Sequence, residues 1–415
     1  MKVYKFGGAS VKDADGIRNL AGIVSMERAN LVIVVSAFGK TTNALEKVLG
    51  EWIAEDESYR NSLDAVYQFH SGVIEELFPY DFAVRSEFET LFDKLRIYLA
   101  LNSRAEYDFE YDQIVSYGEL WSTIIVAGYL RTIFPDVVWT DIRQNLLTDE
   151  RFRDANIDWD ESEARVRSVF SFRKARKYVT QGFIGGTVGG YTTTLGREGS
   201  DYTAAVLANM LDAESVTVWK DVPGILNADP KWMMDTIMLD EISYKEAVEM
   251  SFSGAKVIHP KTIKPLHNKN IPLYVKSFLS PGSKGTVIKA EPEIVRTVPV
   301  YVRKENQILI SIIPNDFSFV ISDNLSRIFN ICNEHGIKVN LVEASAVSLD
   351  VCIDDERQKV DAFIENLTGF SIVYNSGVEM LSIRHYNEEA IRRIITGREI
   401  LLEQRTRSTV RFVVR

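Results

Sequence analysis

From Gly182 to Ala205 the chain reads GFIGGTVGGYTTTLGREGSDYTAA, and the rest of the sequence is organised around this stretch. Seven glycines fall between Gly182 and Gly199, after which Ser200-Asp201-Tyr202-Thr203-Ala204-Ala205 begins like a capped amphipathic helix. Glycine permits positive φ and lets backbone N–H groups approach a bound anion without a Cβ in the way. A helix N-terminus adds unpaired donors and about half a positive charge. The pattern therefore predicts a loop that cradles phosphate. It is neither the GxxxxGK[ST] spacing nor a GxGxxG that opens a dinucleotide fold.

Working outward, Lys2 to Phe6 reads as a buried strand that stops at Gly7-Gly8-Ala9-Ser10, with Ile17, Leu20, Ala21 and Val24 following at helical spacing. Leu31 to Val35 is a second strand, ending in Ser36-Ala37-Phe38-Gly39-Lys40-Thr41-Thr42-Asn43 before a helix marked by Leu45, Val48, Leu49 and Trp52. Two βα units in succession predict an α/β domain with a mainly parallel sheet and helices on its faces. Residues 58–103 read as a helical insertion, a helix follows from Ile114 to Arg131 through Tyr117-Gly118-Glu119-Leu120, and Val137 to Thr140 reads as a strand followed by a polar connection. Beyond the glycine stretch, Val216 to Trp219 is a strand ending at Lys220-Asp221, and short strands are expected near Pro272 to Ser277 and Thr286 to Lys289. In open α/β sheets ligands sit at the carboxyl ends of strands. Lys5, Ser36, Lys220 and Asp221 all fall there.

Near residue 295 the character changes, because Gly336-Ile337-Lys338-Val339-Asn340-Leu341 aligns with Gly397-Arg398-Glu399-Ile400-Leu401-Leu402 at an offset of 61. A βαββ unit occurs twice. Two domains are expected: a catalytic one over 1–295, and over 296–415 a regulatory or dimerising one whose tandem units pair sheets edge to edge.

The length of 415 residues suits two or three domains. A net charge of −10 argues against a nucleic-acid partner, and any phosphate site must be basic only locally. Two cysteines without metal-like spacing, no visible signal peptide and aliphatic runs only as long as a strand predict a cytoplasmic protein without a membrane partner.

Taken together, KFGGAS at Lys5, SAFGKTTN at Ser36, YGEL at Tyr117, TLGREGSDYTAA at Thr194, KDVPGILNADP at Lys220 and SGAKVIHP at Ser253 resemble the aspartate kinases of the amino-acid kinase family. The resemblance implies the three-layer, carbamate kinase-like fold with a C-terminal α+β tandem of ACT-like repeats. It implies transfer of the ATP γ-phosphoryl to the side-chain carboxylate of L-aspartate, giving 4-phospho-L-aspartate on the route to lysine, threonine and methionine. ATP and Mg²⁺ are the implied cofactors, and a homodimer through the ACT-like module is the implied assembly.

Carried over by position, Lys5 and Asp201 would be catalytic, and Ser36, Thr42, Glu119, Arg197 and Ser200 would bind aspartate. Gly7, Gly8, Lys220, Asp221, Lys231 and Lys256 would lie with Lys5 around ATP, and no metal ligand is assigned. The chemistry is sensible without the name, since a carboxylate nucleophile is already ionised near neutral pH and needs only positioning and positive charge. Arg197 offers a bidentate fork for an α-carboxylate and Glu119 a countercharge for an α-ammonium.

Ala9, Glu198 and Leu226 depart from the family pattern, which has threonine, frequently glycine, and often a nucleotide-side tyrosine at those places. The alternatives are another amino-acid kinase, for example one acting on glutamate, and a catalytically silent amino-acid sensor. The lysine-sensing relatives carry a glycine-rich turn, a strand aspartate and a Ser-Glu pair in the first repeat, whereas this chain has Ser322-Asp323-Asn324, Asn340 and Ser345-Ala346. Weak inhibition by lysine is the resulting expectation.

Overall fold

The computed structural model describes residues 1–415 apart from 81, 102–103, 256–257, 293–297, 317 and 321. It divides into two compact units, the first formed by Met1–Ile225, Met238–Val248 and Ile258–Val295 and the second by Leu226–Ile237, Glu249–Val257 and Arg296–Arg415. Two short segments that the sequence reading places with the catalytic half thus pack with the second unit.

In the first unit the strands are β1 (Lys2–Phe6), β2 (Leu31–Val35), β3 (Val137–Thr140), β4 (Lys177–Gln181), β5 (Ile184–Gly186), β6 (Thr192–Thr194), β7 (Ser215–Lys220), β8 (Glu241–Ser243), β9 (Leu273–Ser277) and β10 (Thr286–Lys289). Eight of them form one sheet in the order β3-β4-β2-β1-β7-β9-β10-β8. Every pairing is parallel except β9 with β10. The central strands are buried on both faces, as β2 shows by burying all of LVIVV, and a continuous apolar run is what a covered parallel strand requires.

One face is covered by α1 (Ala14–Met26), α2 (Thr41–Ile53), α3 (Tyr59–Leu77), α4 (Ala83–Leu101), α5 (Tyr107–Val115) and α6 (Tyr117–Arg131), whose apolar residues join Tyr4, Phe6, Ile33 and Val35 in one core. The alternating Val3, Val32 and Val34 are equally buried outside that core. Their side is packed by α8 (Gly199–Met210), which contacts β1, β2 and β7 and is flanked by α7 (Trp159–Val169) and α10 (Pro260–Asn268); α9 (Tyr244–Ser253) follows β8.

Several expectations are corrected here. Helix α8 is buried at all its positions rather than amphipathic, and it starts at Gly199, with Glu198 as an N-cap that makes no side-chain capping bond. The glycine stretch is not all loop, because β5 and β6 pair as an antiparallel hairpin. The single helix expected from Ile114 breaks at Ser116 into α5 and α6. No apolar run or alternation marks strand β4, KYVTQ, in the sequence. It is fully buried despite its polarity because its side chains are bonded: Thr180 donates to the Thr140 carbonyl at 2.8 Å, and Gln181 accepts from Ile142 N–H at 2.8 Å and donates to Thr123 Oγ1 at 2.7 Å.

In α3, His70 stacks between Phe38 and Phe88 with centroids 5.8 and 5.7 Å away, and its Nδ1 donates to the Val66 carbonyl at 2.8 Å. Its buried Nε2 has no partner. Burial, the dominant cause, pushes its pKa down to about 4. An unfolded chain therefore takes up this proton from pH 6.5 downward while the native state refuses it until about pH 4, so stability is lost as pH falls through that window. The loss approaches about 3 kcal/mol. Chemical denaturation of wild type and His70→Phe at pH 7 and pH 4.5 should show that increment shrinking by most of its size in the variant. Equal acid sensitivity of the two proteins would count against it.

The second unit holds β11 (Val300–Pro314), β12 (Val339–Ala344), β13 (Leu349–Asp354), β14 (Phe370–Arg384), β15 (Ile400–Arg405) and β16 (Thr409–Val414), with α11 (Ser322–Glu334), α12 (Arg357–Asn366) and α13 (Glu388–Ile395). The sheet order β12-β13-β11-β14-β16-β15 is palindromic about the antiparallel β11–β14 pair. Strands β12 and β15 begin 61 residues apart, the offset of the repeat. Ser322-Asp323-Asn324 is not a turn before a helix but the first turn of α11.

Candidate active site

Strands β2, β1 and β7 lie side by side, so their carboxyl ends bring Ser36, Lys5 and Lys220 together at the mouth of the sheet. The N-terminus of α8 meets them there. Lys5 Nζ lies 2.7 Å from Asp201 Oδ1, and Lys220 Nζ lies 3.6 Å from Asp201 Oδ2. Asp201 is buried in the first turn of its helix, where the helix dipole favours a negative charge. Burial is the largest influence on its acidity and opposes ionisation, but Lys5 and then Lys220 outweigh it and hold the carboxyl below its ordinary range. Asp201 is thus an anion clamped between two ammonium groups.

The turn after β1 packs against the loop after β2, with Gly39 N–H donating to the Gly8 carbonyl at 3.0 Å. A Cβ on Gly8 would lie 2.7 Å from the Ala37 carbonyl oxygen, so only glycine fits. That same loop receives α6: Ala37 N–H donates to Glu119 Oε1 at 3.2 Å, while the buried Oε2 has no partner. Burial dominates the Glu119 carboxyl and pushes its pKa up to about 8, against the opposing pull of the Ala37 bond and Lys5. At pH 7 it is mostly a neutral acid.

These groups share one cavity of about 470 Å³, lined by Lys5, Ser36, Thr42, Glu119, Ser200, Asp201 and Lys220 together with Arg197. Arg197 is exposed. Glu198 precedes α8 in a left-handed conformation (φ 54°), which disfavours a side chain and accounts for the glycine frequent at this place in the family pattern. Here its carboxylate accepts from His259 N–H at 2.9 Å, so the departure ties the glycine stretch to the next loop.

Not every sequence-derived residue enters the cavity lining. Gly7, Gly8 and Asp221 do not line it, although Asp221 directly follows Lys220 and the two glycines follow within three residues of Lys5. Lys231 belongs to the second unit, as does Leu226. Lys256 lies outside the described residues. Conversely Tyr111, Arg153, Phe183 and Thr194 line the cavity without having been singled out. Phe183 and Thr194 stand inside the opening stretch, but nothing in the local sequence marks Tyr111 or Arg153.

An open, mainly parallel sheet with paired lysines, a buried aspartate and a helix N-terminus at its strand ends is an arrangement suited to phosphoryl transfer and typical of the amino-acid kinase class. Residues 1–277 match the amino acid kinase family. The chain is 34% identical over 354 residues to the lysine-sensitive aspartokinase 3 of Escherichia coli (strain K12), covering 85% of this chain and 78% of that one. It is 30% identical over 393 residues to the chloroplastic aspartokinase 1 of Arabidopsis thaliana, covering 89% and 68%.

Against the bifunctional aspartokinase/homoserine dehydrogenase 2 of Arabidopsis thaliana, 30% identical over 380 residues, it spans 88% of itself but 41% of the relative. Among solved structures, E. coli aspartokinase III in complex with aspartate and ADP superposes with a TM-score of 0.84 at 29% identity, covering 100% of this chain and 96% of that one. The chain belongs to the amino acid kinase family, in its aspartokinase branch.

Proposed function

We infer that the protein transfers the γ-phosphoryl group of ATP to the side-chain carboxylate of L-aspartate, forming 4-phospho-L-aspartate. The observation that carries this is the pairing, in one cavity, of a buried Glu119 with an unpartnered oxygen and the Lys5–Asp201–Lys220 cluster. An α-ammonium group would complete Glu119, and the Arg197 fork would take the α-carboxylate. Ser36, Thr42 and Ser200 supply hydroxyls around the acceptor. Lys5 and Lys220 place positive charge where it develops on the transferring group, which is most of what phosphoryl transfer asks of a protein. Asp201 keeps both ammonium groups in register.

The same proposal includes Mg²⁺. Magnesium keeps waters and phosphate oxygens and takes only one or two carboxylates from the protein, and among the described residues no group of three acidic, histidine or cysteine side chains could hold a metal on its own. Asp201, a buried carboxylate of the cavity, would contribute one ligand to an ion that arrives with the nucleotide. Held there, it would supply positive charge to the phosphates. Among the described residues no helix is long and apolar enough to cross a membrane. Cytoplasmic location and a homodimer through residues 296–415 complete the reading. A coupled ADP-release assay over a panel of amino acids should show aspartate preferred. Faster turnover of glutamate, or none of any, would sink the proposal.

Lysine should inhibit only weakly. Asn340, at the place of the relatives' strand aspartate, is buried, accepting from Lys304 Nζ at 2.7 Å and donating to Gln307 Oε1 and Asp354 Oδ1 at 2.8 Å each. A charge-assisted contact of the kind lost here is worth roughly 1.5–3 kcal/mol, so at least a tenfold loss of affinity is expected. Initial rates at millimolar lysine, with calorimetry on the full chain, decide this. Strong inhibition with tight binding would show that other residues hold the effector.

A further inference from the structure

Among the described residues nine that are not glycine have a left-handed backbone, and three of them, Arg153 (φ 68°), Phe183 (φ 69°) and Glu198 (φ 54°), line the cavity just described. A side chain held in that region costs of order 1 kcal/mol or more and persists only where the surroundings over-determine it. Glu198 gains its bond to His259, and the Phe183 N–H is taken by Thr203 Oγ1 at 3.0 Å. Arg153 is fixed more heavily. Its N–H donates to Asp112 Oδ2 at 3.0 Å, and the same buried carboxylate accepts from Thr194 N–H at 2.8 Å and from the Thr194 hydroxyl at 2.7 Å. Asp112 thereby ties the turn that carries Arg153 to the end of the glycine hairpin.

The guanidinium is oriented as well. It lies 4.6 Å from the centroid of the Tyr111 ring and 5.6 Å from that of Tyr107, an arrangement that fixes the plane of the fork. Its ion-pair partner is Asp108 at 3.1 Å, with both side chains about half exposed. Such a pair is worth little and exchanges readily. Tyr111, Arg153 and Glu119 line the same cavity, so the stacked guanidinium stands in the space that a substrate held by Glu119 would occupy.

We propose that Arg153 is a specificity-determining residue for the acceptor: its guanidinium leaves Asp108 for a carboxylate of the amino-acid substrate, so that with Arg197 the site recognises a dicarboxylic amino acid through two forks. The inference rests on the function proposed above.

The left-handed backbone supplies a clean test, because glycine fits φ 68° without penalty and Arg153→Gly removes the side chain without disturbing the turn. The KM for aspartate should rise tenfold or more, with the KM for ATP within twofold and kcat within threefold of wild type. Arg153→Lys, which keeps the charge and loses the fork, should show most of that rise. Asp108→Asn, which removes the competing carboxylate, should lower the KM for aspartate.

An aspartate KM within twofold of wild type in Arg153→Gly overturns the inference, as does a change confined to ATP. A drop in Tm with unchanged KM would make Arg153 a structural pin for α5 and also overturn it. Wild-type protein that releases no ADP with aspartate would fell the proposed function and this inference together. An active wild type with an indifferent Arg153→Gly fells this inference alone.

Discussion

Asp201→Asn and Lys5→Met are expected to fold and to lose roughly 10²–10³-fold in kcat, the typical effect of removing one preorganised charge-handling group from a dry site. The two side chains lie 2.7 Å apart and are nearly excluded from water. Losing the carboxylate leaves Lys5 and Lys220 close together without their countercharge, and losing Lys5 leaves Asp201 with Lys220 alone at 3.6 Å. Breaking a buried pair costs about 3–5 kcal/mol, so near-isosteric replacements are preferred to alanine and each variant needs a melting curve beside its rate. A folded variant that kept more than about a tenth of wild-type turnover would remove that residue from the machinery.

The second large effect belongs to Glu119 and is written in protons. With its pKa raised to about 8 mainly by burial, Glu119 is for the most part a neutral acid at pH 7. An ammonium group docking against it favours the carboxylate. Lys5, Tyr111, Asp201 and Lys220 are titratable groups that line the same cavity. Aspartate binding at pH 7 should therefore release close to one proton, visible as a dependence of the calorimetric enthalpy on buffer ionisation. The apparent affinity should improve by about tenfold per unit as pH rises toward 8 and then level off.

Stability has the opposite slope. The folded value lies above the unfolded one, so the native state is favoured at low pH and loses roughly 4–5 kcal/mol at most as pH climbs from 4.5 to 8. Glu119→Gln should abolish that slope, stabilise the protein near pH 8, and raise the KM for aspartate by a hundredfold or more. A variant with unchanged KM, or binding without proton release, would be incompatible with Glu119 as the ammonium partner.

Much of the lining of the candidate cavity is legible in the sequence, because those residues sit at places that one-dimensional patterns mark. Lys5 and Ser36 end apolar strand runs, Lys220 ends another, and Asp201 follows glycines at a helix start. The cavity's other wall was not readable. Arg153 reaches it through a turn held by Asp112, 41 residues away in sequence, and no local signal encodes a clamp of that range. Strand β4 escaped because its burial rests on hydrogen bonds of Thr180 and Gln181 rather than on apolar side chains. The fully buried α8 reads as amphipathic in sequence because its first turn is polar, although Ser200 and Asp201 there line the cavity. In the second unit the repeat offset located the strand pairs, whereas the inclusion of residues 226–237 and 249–257 depends on packing that a linear division at 295 cannot express.

That inclusion bears on how the protein is made. Ala228 and Met233 share a core with Tyr301, Leu381, Ile391 and Phe412, yet they leave the ribosome long before the strands that cover them. At about 5–20 residues per second of synthesis, the apolar side chains of 226–237 wait on the order of ten seconds for β14 and β16 to emerge. During that interval they lack the side chains that bury them, and binding of a chaperone to the nascent chain is the expected result. A fragment released after residue 295 would keep that target exposed for good, and a separately expressed 296–415 would lack the plug for its own core. Co-expression of the two pieces should then rescue solubility that neither has alone.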